Sequence, residues 1–330
     1  IEDTIAVYGA GYPRGRDCLK RLSAFEKKGS TITLAIEGKS VKGSRVWAGE
    51  EGALAEEPSK TDQALKSLRS DAMLAHPLLK FDKLLFIKRQ PYTGHIYEDQ
   101  HNSKMGGSLC MLSPVRPDGK VTSLVPQFDG GLFGRFDLSY DATKVVFCYK
   151  KKPPENASGG KKSKANEHNP FRIYEIRLDP KTGTTVPGSL RQLTFDAESE
   201  FAAIKKHFDL HATGGGRGVV GQGFHDTDPV YLPNGNIAFM SARSQRSVFC
   251  FVTTVSSLHI MDGDGKNIRC ISQGPLTEMG PSVMDDGRIV YTRWEYIDKG
   301  FGNVQSLWSV RPDGSGTDHV YKNMIVCPGA

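Results

Sequence analysis

Four residues have the chemistry to hold a metal ion. His225, Asp226 and Asp228 stand close together after a glycine-rich run from Gly214 to Gly223, and Cys250 follows in the same stretch of chain. Imidazole nitrogen, carboxylate oxygen and thiolate together suit zinc, which holds such donors at roughly 2.0 to 2.3 Å. A competing reading makes Asp226 and Asp228 organisers of the turn before a strand, accepting from backbone N–H groups, with His225 packed at a sheet edge. Upstream, His207 and His211 are four apart and would face one way only on a helix.

A second cluster, Arg293, Trp294, Glu295 and Tyr296, closes a strand-like run with charge and aromatic surface side by side. Such groups line partner-binding faces. An ion pair from Arg293 to Glu295 or Asp298, locking neighbouring elements, is the structural alternative. No ordering of Ser, His and Asp and no paired-carboxylate spacing marks a hydrolase. The six cysteines (Cys18, Cys110, Cys148, Cys250, Cys270 and Cys327) are scattered singly, without the CxxC spacing of a zinc ribbon or the CxxCH of c-type haem attachment. They read as buried free thiols acting as small hydrophobes. The runs Gly9–Gly15 and Gly38-Lys39-Ser40 depart from the dinucleotide and phosphate-loop fingerprints.

Bulk properties narrow the field. The chain has 330 residues, 38% hydrophobic and 24% charged, with 36 glycines, which suits a large core with many tight turns. No apolar run approaches the ~18 residues of a membrane span. The net charge of +6 is concentrated at residues 150–168, where six Lys face two Glu in a Pro-, Gly- and Asn-rich segment. That segment reads as a mobile surface loop rather than a basic face, so a nucleic-acid partner is not expected.

What must position the candidate residues is an internal repeat. DPVYLPNGNIAF at 228–239 lies over GPSVMDDGRIVY at 280–291 without a gap, and DLSYDATKVVF at 137–147 is a weaker copy. Asn-Gly and Asp-Gly between apolar runs predict a hairpin with a two-residue type I′ turn. A second hairpin follows each: LHIMDGDG at 258–265 aligns with LWSVRPDG at 307–314, with relatives at 173–183 and 108–119. Two hairpins per unit predict four-stranded β-propeller blades, at about 81–126, 133–195, 224–273 and 278–322. The expected architecture is all-β, a propeller with at least four visible blades over 79–330, its ring completed beyond Ala330 in a longer parent. Residues 1–78 form a partly helical extension, with helical spacing at Asp17–Lys28 and Lys60–Leu79 and a strand at Thr31–Ile36.

FDKLLFIKR at 81–89, FGRFDLSYDATKVVF at 133–147, HDTDPVYLPNG at 225–235, HIMDGDGKNIR at 259–269 and, most specifically, TRWEYIDKG at 292–300 resemble the propeller of hydrazine-synthase α-subunit-like proteins, which are distantly similar to TolB-type propellers. The resemblance covers about residues 65–325. It implies an exported, multi-domain protein and hence a periplasmic or otherwise extracytoplasmic location. It also implies a following domain with c-type haem and a zinc ion nearby; haem would come only through that domain, which this sequence does not contain. Two functions are therefore expected in competition. One is a propeller that binds a protein partner or scaffolds a catalytic domain of the same parent. The other is a zinc- or c-haem-dependent oxidoreductase to which this chain supplies part of the site.

Overall fold

The computed structural model describes residues 1–37, 60–91, 105–152, 169–197, 199, 224–244, 246, 254–272, 274–295 and 305–321. The chain divides into two compact units, residues 1–84 with 113–119, and residues 85–112 with 120–330.

The first unit is helical. Helix α1 (Glu2–Tyr8) leads through a short 3-10 turn to α2 (Gly15–Glu37), and α3 (Lys60–Leu74) ends just before Pro77. Cys18, Leu68 and Ala72 form a small core with Leu22 and Phe25 packed on it. The Tyr12 hydroxyl donates to Ala72 O (2.8 Å), and Arg21 pairs with Asp71 (2.8 Å) on the surface. The strand expected at Thr31–Ile36 is instead the last part of α2. Alternating Thr and Ile read as a period of two, but a lone strand leaves its backbone N–H and C=O groups without partners, whereas a helix pairs them internally.

The second unit is a succession of antiparallel sheets, each built from consecutive strands. Blade one holds β1 (Leu84–Lys88), β2 (Ser108–Ser113) and β3 (Lys120–Ser123). Blade two holds β4 (Leu132–Leu138), β5 (Lys144–Lys150), β6 (Arg172–Arg177) and β7 (Arg191–Gln192). Blade three holds β8 (Asp226–Tyr231), β9 (Ile237–Ser241), β10 (Ser257–Met261) and β11 (Arg269–Cys270). Blade four holds β12 (Glu278–Val283), β13 (Ile289–Trp294), β14 (Gln305–Val310) and β15 (Asp318–Tyr321). The repeat is visible in the geometry: β8 and β12 begin 52 residues apart, as do β9 and β13.

The sheets stack face to face, which explains why their central strands are apolar on both sides. In β5, Val145, Phe147 and Tyr149 pack toward blade one, while Val146 and Cys148 pack toward blade three. In β9, Ile237 and Phe239 face blade two, and Ala238 and Met240 face blade four. Tyr291 faces blade three as Phe239 faces blade two, the same role one interface later. Burying one such aromatic side chain stabilises by roughly 1.5–3 kcal/mol. The chain is thus an all-β propeller architecture of successive blades, preceded by helices.

The hairpin turns differ from the expected type I′. In the Asn234-Gly235 and Asp286-Gly287 turns only the glycine takes positive φ, Gly235 at 85° and Gly287 at 84°. Gly235 N–H donates to Leu232 O (2.9 Å) and Leu232 N–H to Asn236 O (2.8 Å), with Pro233 second in the turn. Proline fixes φ near −65°, so type I′ is closed to this position and the turn resolves as type I followed by a left-handed glycine. Asn234 and Asp286 each accept from the backbone N–H two residues on (3.1 and 3.0 Å).

Cys18, Cys110 and Cys148 are buried free thiols as expected, but Cys270 is exposed on the two-residue strand β11. Among the described residues no helix is long and apolar enough to cross a membrane. Residues 153–168 of the lysine-rich segment lie outside the described residues.

Candidate functional site

The densest polar cluster lies where blades two and three meet, at the start of β8. Asp226 is 1% exposed, and its carboxylate is surrounded by donors. Oδ1 accepts from the Ser241 hydroxyl (2.6 Å) and Arg243 Nη2 (3.0 Å); Oδ2 accepts from Arg243 Nη2 (3.0 Å) and Arg172 Nη1 (3.2 Å). Arg172, on β6 of the preceding blade, also donates to Phe224 O and pairs with Asp196 (2.7 Å). Two guanidinium groups and one hydroxyl offset the cost of burying this charge.

His225 is 3% exposed, and its Nδ1 accepts the Phe171 N–H (3.0 Å) from blade two. Asp228 is buried with φ at 50°, an uncommon conformation for a non-glycine residue, inside a register break between Thr227 and Val230. Its Oδ2 accepts the N–H of Gly280 (3.1 Å), which occupies the matching break in β12. The three neighbours in sequence thus turn to three different sets of partners. Cys250 lies outside the described residues, as do His207 and His211. Among the described residues no three His, Cys, Asp or Glu side chains are grouped to hold a metal ion.

Fifty-two residues on, blade four varies the same theme, keeping the first carboxylate and moving the arginine. Glu278 stands where Asp226 does, Arg293 where Ser241 does, and Glu295 where Arg243 does. Glu278 Oε2 accepts from Leu258 N–H (2.8 Å) and from the Ser272 hydroxyl, and Oε1 is buried against Gly274. Burial raises the Glu278 carboxyl above its ordinary value, outweighing the Ser272 and Leu258 hydrogen bonds and the Arg293 charge that favour ionisation. Arg293 lies over the Trp308 ring (4.5 Å to the centroid) and is 3.3 Å from Glu295. Trp294 is 4% exposed, so within this cluster it contributes to packing; Tyr296 lies outside the described residues.

A third carboxylate, Glu175 on β6, receives Arg191 (2.8 Å) and the Tyr231 hydroxyl (3.0 Å) of the next blade. Burial and the Glu175 charge push the Tyr231 phenol upward. His259 is buried, and burial lowers its imidazole below the ordinary value. Arg172, Arg243, Glu175 and Glu278 carry these networks and were not singled out by sequence. Extending the 52-residue alignment to Asp226/Glu278 and Arg243/Glu295 is the signal that finds the third and fourth blades' share.

No family model matches the chain, and no curated protein matches it. Solved structures of similar fold include TolB from Acinetobacter baumannii, at 15% identity and TM-score 0.38 over 72% of this chain and 39% of that one. Hydrazine synthase from Kuenenia stuttgartiensis is 13% identical with TM-score 0.47, over 73% of this chain and 31% of that one. An oligogalacturonate lyase in complex with manganese is 14% identical with TM-score 0.38, over 64% and 47%. The chain therefore spans less than two thirds of each of these proteins.

Proposed function

We propose that this chain is a propeller module that binds a protein partner, or another domain of the same parent chain, in an extracytoplasmic compartment. The observation that carries this reading is the network at Asp226. Groups with the chemistry to act as ligand, acid or base there are engaged in tying one blade to the next, which favours a rigid frame over a reacting centre. The zinc reading rests on the types of His225, Asp226, Asp228 and Cys250. To ligate, Asp226 would have to give up its bonds to Arg172 or Arg243, which hold it on both oxygens.

Two exposed aromatics, Tyr140 (67%) and Phe195 (63%), give places from which to test the module reading. A photo-crosslinking residue at either position, expressed in the native host with cell fractionation, should yield one discrete protein adduct in the extracytoplasmic fraction. Absence of adducts from both positions, together with stoichiometric zinc and a redox turnover abolished by His225→Ala, would establish the oxidoreductase instead.

A further inference from the structure

We propose that Arg135 forms a binding site for a carboxylate group where the first strands of blades two, three and four converge. The proposal rests on the binding-module reading and names the chemistry its ligand presents. Arg135, Asp228 and Gly280 each lie inside the register break of their strand, between Phe133 and Phe136, Thr227 and Val230, and Met279 and Ser282. Strand β8 packs against both β4 and β12. Arg135 spans from blade two to blade four: a Cβ placed on Gly280 would lie 3.0 Å from its Nη1 and 3.5 Å from its Cζ and Nη2. The guanidinium therefore lies against the glycine backbone, in space that only glycine leaves open.

Arg135 is exposed, and among the described residues its guanidinium makes no hydrogen bond or ion pair. The carboxylates beside it are occupied elsewhere. Asp228 Oδ2 accepts from Gly280 N–H, and Asp137 Oδ2 accepts from Tyr231 N–H (2.8 Å). Cys148, whose thiol donates to Arg135 O (3.6 Å), adds no charge: burial and the Asp228 carboxylate push it up to about 12. What remains is an exposed planar fork of N–H donors with one side against Gly280. A carboxylate matches that fork with two parallel hydrogen bonds, whereas a cation would be repelled by it. The carboxylate could belong to a small dicarboxylate or to an acidic side chain of a partner.

The test is calorimetric titration of the intact chain with succinate and with a tetraglutamate peptide, at ionic strength held constant with chloride. Saturable binding is expected, weakened at least about tenfold by Arg135→Gln and partly kept by Arg135→Lys, which retains charge but loses the fork. Tighter binding of the peptide identifies a partner segment; binding of succinate alone identifies a small ligand. Because Arg135 is exposed and makes no side-chain bond among the described residues, Arg135→Gln should leave the thermal midpoint unchanged. Binding that is equal in Arg135→Gln overturns the proposal, as does the absence of saturable binding to either probe. If crosslinks from Tyr140 or Phe195 persist while neither chain binds carboxylate, this site is wrong and the module reading stands.

Discussion

Arg172 of blade two and Asp226 of blade three form an ion pair at 3.2 Å with only 5% and 1% of their side chains exposed. Removing Asp226 leaves buried Arg172 with only the half-exposed Asp196 (2.7 Å) and takes from Arg243 the carboxylate it pairs with, at a cost of up to about 3–5 kcal/mol. Asp226→Ala should lower the midpoint of urea unfolding accordingly. Replacing both residues by apolar side chains of similar size should recover much of the loss. A double replacement as damaging as the single one would show that the pair itself, not the uncompensated charge, carries the effect.

Glu278 makes stability fall as pH rises. Its folded carboxyl is held above the ordinary value of 4.5, so below that value both folded and unfolded chains carry the proton and nothing is lost. Above it the unfolded chain ionises while the folded chain resists, and the free energy of unfolding declines until pH passes the raised folded value. Arg293, Tyr291 and Ser272 surround the group. Unfolding free energies measured at intervals from about pH 4 to 7 should show a downward slope that Glu278→Gln flattens.

Two glycines separate backbone strain from crowding. Gly287 has φ of 84° with nothing near a would-be Cβ, so Gly287→Ala should cost about 1–2 kcal/mol from conformation alone. Gly280 has φ of 59° and also the Arg135 guanidinium 3.0 Å away. Gly280→Ala should cost more, and combining it with Arg135→Ala should return the excess. Equal losses for the two glycines, unaffected by Arg135→Ala, would mean that the guanidinium moves aside freely.

Thiol reactivity should follow burial. In the native protein iodoacetamide is expected to modify Cys270 rapidly, and Cys18, Cys110 and Cys148 only once the chain unfolds. Peptide mapping after brief labelling reads this directly, and early modification of Cys148 would contradict its place between blades two and three.

The blades were legible because their cause is local and repeated: β-rich apolar runs punctuated by Asn-Gly and Asp-Gly at fixed offsets. The turn type was less so, since the same dipeptides serve two hairpin geometries; Pro233 excludes one at the first turn, yet the second adopts the same geometry with Asp285 in that place. Thr31–Ile36 misled because alternation in sequence is silent about whether a neighbouring strand exists. The candidate site was only partly legible. His225, Asp226 and Asp228 were found by type, yet their roles depend on Phe171, Arg172 and Gly280, which lie 52 to 54 residues away. Arg135 carried no motif, and its lack of a carboxylate among the described residues follows from Asp137 and Asp228 accepting from backbone amides in another blade.

Two arginines give the array a direction. Arg191 on the last strand of blade two donates to Gly263 O in blade three (2.6 Å), and Arg269 at the same place in blade three donates to Pro312 O in blade four (3.1 Å). In both cases the acceptor lies downstream, so each of these latches has its keeper only in the blade made after it. Each newcomer closes the latch of its predecessor and offers a fresh one. The arrangement resembles a zip fastener, in which a fault in one blade leaves the latch of its immediate predecessor open.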